Sequence, residues 1–176
     1  YRSSITYKNK HISLGSFSTE KEAHHAYLYA QKLLSSDKKL IQYRKNSILP
    51  FEKWVILINF RDHNVYFKTP IYLQKNFFHY YMSKEEILTF DIDDLFFYSE
   101  HKIQKRNGHY FVADYGMQLS LGNRYGIKSF SVKGRDYTFI NGDSLDFRYE
   151  NLLIINRYAG VLRQGKTAPY TYLVKI

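Results

Sequence analysis

The stretch Tyr1-Arg2-Ser3-Ser4-Ile5-Thr6-Tyr7, Lys8-Asn9-Lys10, His11-Ile12-Ser13-Leu14 decides how the first part of the chain is read. Tyr1, Ser3, Ile5 and Tyr7 alternate with Arg2, Ser4, Thr6 and Lys8, the period of a strand with one covered and one open face. Lys8-Asn9-Lys10 reads as a hairpin turn and His11–Leu14 as the returning strand, with Gly15 ahead of a short third strand at Ser16-Phe17. Thr19-x-x-Glu22 is a capping box that opens a helix. Ala23, Ala26, Tyr27, Ala30, Leu33 and Leu34 fall on one helical face, which should pack on the sheet. Three strands and one helix make a small two-layer module.

Beyond it, the whole chain has 176 residues, 44% of them hydrophobic, enough for a core. The longest apolar run, Trp54-Val-Ile-Leu-Ile58, is far short of the ~18 residues of a membrane-spanning helix, so no membrane partner is expected. There is no cysteine, which excludes disulfides, a thiol nucleophile and thiolate-bound metal and fits a reducing compartment such as the cytoplasm. Tyr1 stands in a strand-like run and no targeting signal is visible, so the chain is expected to be a fragment or processed product.

The formal charge is +10, which favours an anionic partner. It divides as +6 over residues 1–50, −3 over 51–100 and +7 over 101–176, so two contact surfaces are expected. The polar stretch from Ser35 to Ser47, ahead of Pro50, is the best boundary. The domains are therefore expected at 1–46, 47–158 and 159–176.

Residues 1–34 resemble the APETALA-type DNA-binding domain of plant ethylene-response factors, which also occurs in bacterial and phage mobile-element nucleases. The match rests on Tyr1-Arg2-Ser-Ser-Ile5, Asn9-Lys10, Leu14-Gly15-Ser-Phe17, Thr19-Glu20-Lys-Glu22-Ala23 and Ala26-Tyr27. In that family the open sheet face enters the major groove, wide enough for a β-ribbon. The resemblance implies that Arg2, Ser4, Thr6, Lys8, Lys10, His11 and Ser13 face double-stranded DNA. Tyr170–Ile176 echoes Tyr1–Tyr7, so the chain end is expected to be the first strand of a second such repeat or a strand completing the first.

In the middle, Trp54–Ile58, Val65–Phe67 and Phe77-Phe78 read as strand-like core, and Ser83-x-x-Glu86 and Asp91-Ile-Asp-Asp94 as helix starts. The three aspartates lack calcium-loop spacing, so capping is the preferred reading. Asn107-Gly108 joins Lys102–Arg106 to His109–Ala113 as a hairpin. Asp114-Tyr-Gly116 turns into Met117–Leu121, and Asp136–Ile140 is a further strand.

Residues 88–158 resemble the HNH endonucleases of homing and phage systems, a ββα-metal fold. Thr138-Phe139-Ile140-Asn141-Gly142-Asp143, Leu145-Asp146-Phe147-Arg148 and Asn151-Leu152 stand where that family has Asp-His-Ile-Asn-Gly-Asp, Leu-Asp-Asn-Arg and Asn-Leu; Gly108-His-Tyr110 and Leu121-Gly122-Asn-Arg124 match its upstream pattern. The departures weigh more. Active members use the Asp-His pair as metal ligand and base; here Thr138 and Phe139 occupy it, and a phenyl ring neither binds a cation nor accepts a proton. Asn151 alone is no cation site. No paired histidine spacing substitutes.

Gly160-Val-Leu-Arg-Gln-Gly165-Lys166-Thr167 fits a phosphate-loop pattern, but Pro169 and a strand-like run follow instead of a helix, so a basic DNA-facing loop carrying Arg163 and Lys166 is preferred.

The expected fold is α+β, a three-stranded antiparallel sheet with a helix joined to a degenerate HNH-like ββα module. The expected function is non-catalytic binding of double-stranded DNA in a phage or mobile-element setting, without catalytic residues, metal or cofactor. Lys102, Lys105, Arg106, Arg124, Lys128, Lys133 and Arg135 would add phosphate contacts. The alternatives are an active nuclease with a rearranged metal site and an inhibitor that occupies a host nucleic-acid enzyme, such as an anti-CRISPR protein acting on an RNA-guided nuclease.

Overall fold

The structure, a computed structural model, describes residues 1–158, 161–163 and 172–174. It is α+β, with several small antiparallel sheets and few helices, and divides into two compact units, Tyr1–Lys102 and Ile103–Ile176.

Unit 1 opens with β1 (Arg2–Tyr7) and β2 (Lys10–Ser16), paired antiparallel. Lys8 and Asn9 both take positive φ, 46° and 65°, the twist-matched two-residue turn of a hairpin. The expected third strand at Ser16-Phe17 is corrected here. Gly15, at φ +128°, does not end β2 but bulges it, with the register shifting between Ser3 and Ser4. The strand runs on, and the Phe17 N–H reaches the Tyr1 carbonyl at 2.7 Å. The module is one bulged hairpin, not three strands.

Its covered row, Ile5, Ile12 and Leu14, meets α1 (Glu20–Leu34). The capping box forms as expected: the Glu22 N–H donates to Thr19 Oγ1 and the Thr19 N–H to Glu22 Oε2, each at 3.1 Å. Ala23, Ala26 and Ala30 are buried, and such small side chains let the helix approach the strands closely.

The run Trp54–Ile58 is not a strand. It lies in α2 (Phe51–His63), in which every residue from Trp54 to Phe60 is buried. A helix apolar on all sides carries no 3.6-residue pattern, so the sequence could not separate it from a buried strand. Pro50 stands before its first turn, and Asn64, at φ 59°, closes it with an N–H bond to the Phe60 carbonyl at 3.0 Å. The cause of the all-round burial is position. α2 contacts α1 and the strand that follows it, and one core cluster joins Ile5, Ile12 and Leu14 to Leu33, Trp54 and Leu57. The division expected at residues 46 and 47 runs through this core. Trp54 is fully buried and donates its indole N–H to the Leu40 carbonyl at 3.2 Å; losing such a ring costs about 3–5 kcal/mol.

Val65–Phe67, expected as a strand, is irregular. Asn59 Nδ2 donates to the Val65 carbonyl and Tyr66 sets its ring against Phe60, so the segment folds back on α2 rather than pairing. The strands are β3 (Ile71–Leu73), β4 (Phe77–Tyr81) and β5 (Ile87–Asp91), in that order. Ser83-x-x-Glu86 does not start a helix. The Glu86 N–H does bond Ser83 Oγ at 3.0 Å, but the Met82 and Ser83 N–H groups close on the Glu86 carbonyl, a turn between β4 and β5. After Asp91 a 3-10 turn, Ile92–Asp94, leads into α3 (Leu95–Glu100), the helix start read at Asp91–Asp94. Tyr98 of α3 stacks on Phe90 at 4.0 Å.

Unit 2 begins with β6 (Ile103–Arg106), β7 (His109–Asp114) and β8 (Met117–Ser120), a meander in that order. Asn107 and Gly108 form its first turn at φ 53° and 78°, as the Asn-Gly signal predicts. β9 (Tyr137–Phe139) pairs with β10 (Leu152–Ile154), and β11 (Val161–Arg163) with β12 (Tyr172–Val174). Among the described residues unit 2 holds strands and 3-10 turns but no α-helix.

Candidate nucleic-acid interface

The hairpin register sorts the first set of candidate residues. Ser4 pairs with Ser13, Thr6 with His11 and Arg2 with Ser16, so these side chains share the face turned away from Ile5, Ile12 and Leu14. Arg2, Thr6, His11 and Ser13 are exposed and Ser4 is half-buried. This row offers a guanidinium, an imidazole and hydroxyls to one side of a two-stranded ribbon.

Lys8 and Lys10 do not join it. Lys8 sits in the turn, donates through Nζ to Asn64 Oδ1, and lies 5.0 Å from the Tyr7 ring centroid and 5.8 Å from that of Phe60. Its ammonium is engaged with the end of α2. Lys10 pairs with Tyr7, on the opposite parity from His11. Period-2 counting fails at the turn, where two residues leave the strand conformation.

The second set is spread more widely. Lys102 belongs to unit 1 and pairs with Glu52 at 3.2 Å. Lys105 and Arg106, successive in β6, face opposite sides of the sheet: Lys105 lies over Tyr110 at 5.4 Å and Arg106 over Phe111 at 5.4 Å. Arg106 pairs with exposed His109, a neighbour the sequence analysis did not single out although the two-residue turn fixes that register. Arg124, in the 3-10 turn Leu121–Tyr125, and Lys128 and Lys133 in the loops beyond it are exposed.

Arg135 is spoken for. Its guanidinium holds buried Asp136 at 3.0 Å, and Asp136 also accepts from the Val132 N–H at 2.7 Å and from Asn156 Nδ2 at 3.0 Å. The Arg135 bond, then those from Val132 and Asn156, hold the Asp136 carboxyl at about 2. The pair therefore adds no net charge to that surface. Arg163 is in β11, and Lys166 lies outside the described residues, as does most of the phosphate-loop-like stretch.

The loop over residues 138–152 is organised as a scaffold. Phe139 is 8% and Phe147 6% exposed. Their rings meet edge to face at 5.7 Å, and Phe147 lies 5.5 Å from Tyr125. Asn151, at the last ligand position of the family pattern, is spent on backbone: its Oδ1 accepts from the Asn141 N–H at 2.8 Å and its Nδ2 donates to the Asp146 carbonyl at 3.0 Å. Asp146 takes both Nε and Nη2 of Arg148, at 2.9 and 2.7 Å, and Nδ2 of Asn141 at 3.0 Å. Burial works to raise its pKa, but the Arg148 fork and Asn141 outweigh it and the carboxyl stays below its usual range. Both Asp146 oxygens and Asn151 Oδ1 already hold a protein donor. Among the described residues no group of three or more His, Asp or Glu side chains is placed to hold a metal ion. Nor is any helix among them long and apolar enough to cross a membrane.

One further charged group, in unit 1, escaped the sequence reading. Asp62 accepts from Arg61 Nε and from the Tyr72 hydroxyl, each at 2.9 Å. Burial and the bond to Asp62 push Tyr72 up to about 12. The partners are ten residues apart across an irregular segment, so nothing local announces the contact.

No family model, curated protein or solved structure matches this chain.

Proposed function

We propose that the protein binds double-stranded DNA without cutting it, and that it derives from an HNH nuclease of a phage or mobile element. The observation that carries this reading is the open face of the β1–β2 ribbon. Arg2, Thr6, His11 and Ser13 stand exposed on it, while the opposite row is sealed into the core. A ribbon of this width fits the major groove, where a guanidinium and hydroxyls read base edges. The charge of +10 supplies the attraction to phosphate. In unit 2, Arg106 and Lys105 lie on opposite sheet faces, so one of them at a time would contact a phosphate.

The non-catalytic half of the reading rests on Phe139. Its buried ring fills the position of the family's base, and Asn151 and Asp146 are committed to the loop. Without a proton acceptor and an open carboxylate, metal-assisted hydrolysis has neither its nucleophile nor its clamp.

The test is a salt titration of binding to random duplex DNA, run beside a plasmid-nicking assay with magnesium. Binding should weaken log-linearly with salt and no nicks should accumulate. Salt-independent binding, or nicking abolished by chelation, overturns the reading. A protein retained from nuclease-treated host lysate at fixed stoichiometry, with no affinity for duplex, would favour the inhibitor alternative instead.

A further inference from the structure

A cleft of about 340 Å³ lies in unit 1 between the 3-10 turn Leu40–Gln42, α2 and the β3–β5 sheet. That is within the ~300–1,000 Å³ of small-molecule sites. It shares no residue with the open face of β1–β2. Its walls are rings and aliphatic chains: Phe51, Tyr72 and Tyr81, with Leu40, Ile58 and Ile87. The Phe51 and Tyr81 rings meet edge to face at 5.9 Å, and Tyr43 braces Phe51 from behind at 5.0 Å. Tyr43 is itself fixed by its hydroxyl bond to the Leu49 carbonyl at 2.9 Å. The wall is thus preformed, and a planar ring inserted beside it gains stacking and edge contacts without reordering the site.

The charges in the cleft are unequal. Lys39 and Lys84 line it, and the only acid among its lining residues is Asp62. That carboxylate is already matched by Arg61 and the Tyr72 hydroxyl. Lys84 Nζ is held by the Tyr43 carbonyl at 3.2 Å, which spends one of its three donors. Two lysines lining an aromatic wall, with no unspent acid among the lining residues to balance them, suit a ligand that joins a flat ring to a phosphate. A cationic ligand would meet repulsion from both lysines.

We propose that this cleft is a binding site for a small nucleotide-like ligand, its ring against Phe51 and Tyr81 and its phosphate between Lys39 and Lys84. The inference stands apart from duplex binding, since neither lysine and none of the rings belongs to the ribbon face.

Adenosine 5′-monophosphate, adenosine and inorganic phosphate, each titrated into the whole chain and followed by NMR, test it. The monophosphate should bind saturably, with shifts centred on Tyr72, Tyr81 and Ile87, and at least about tenfold more tightly than either part. The double variant Lys39→Gln/Lys84→Gln should weaken it about tenfold and leave adenosine unchanged. Ile41→Trp, at an exposed lining position, should block all binding while leaving the fold intact, because Ile41 is 75% exposed. No saturable binding up to ~10 mM overturns the site. So do shifts confined to other surfaces, and equal affinity for adenosine or phosphate alone. Duplex affinity of Ile41→Trp, which keeps the charge, should stay at the parent value, so the two readings fail separately.

Discussion

Phe139 and Phe147 stand perpendicular, 90° between ring planes, one in β9 and the other in the loop that leads to β10. Both rings are buried against each other. A histidine placed at position 139 must therefore contend with packing as well as chemistry. Phe139→Ala should destabilise the protein by about 3–5 kcal/mol in urea denaturation. Phe139→His should also destabilise it and should yield no magnesium-dependent nicking, because Asn151 and Asp146 remain committed to the loop. Nicking by that single variant would show an intact metal site.

Acid should destabilise unit 2. Asp136 is held at about 2, against about 4 for a free carboxylate, and Asp146 is also lowered. A lowered folded pKa means stability that is present above the unfolded value and lost as pH falls through the folded one. Far-ultraviolet circular dichroism should accordingly show structure lost between about pH 4 and 2. Asp136→Asn should flatten that pH dependence and lower stability at neutral pH, since the Asn side chain cannot accept the three-donor set of Val132, Arg135 and Asn156 equally well.

Substitutions on the ribbon should separate affinity from stability. Arg2→Ala should weaken duplex binding and, if Arg2 meets a phosphate, reduce the salt slope by about one, with no change in melting temperature. Lys8→Ala should do the reverse. Its ammonium is engaged by Asn64 and two rings, so thermal melting should fall while duplex affinity changes little. Equal effects of the two variants on DNA binding would mean that the turn itself touches the duplex.

How far these features could be read in advance depends on the range of the contacts that set them. The Thr19 capping box, the Asn107-Gly108 turn and the alternation of β1 are local, and each forms as its residues predict. The helix over Trp54–Ile58 was illegible because its partners, α1 and β3, cover it from several sides and erase its polar face. Gly15 misled for a related reason: a glycine can end a strand or bulge it, and pairing to Tyr1 decided. On the hairpin, alternation placed Arg2, Ser4 and Thr6 on one face as found but also Lys8, whose partner Asn64 lies 56 residues away. The Asp62–Tyr72 and Phe51–Tyr81 contacts are likewise tertiary and left no spacing to count.

The Thr19 cap offers a direct measure of one local signal. Thr19→Ala removes the hydroxyl that accepts from the Glu22 N–H and should cost about 1 kcal/mol in chemical denaturation. A loss within error would mean that Glu22, through its bonds to the Ser18 and Thr19 N–H groups, holds the helix start alone.

The sealing of α2 on every side has a bearing on how this chain could be cut, swapped or inherited. A hairpin and helix excised at residue 46 would carry Ile5, Ile12, Leu14 and Leu33 away from Trp54 and Leu57, leaving an oily wound on both halves. Any recombination that moves the ribbon to another protein must take α2 along with it. The exchangeable cassette is therefore longer than the ribbon it carries.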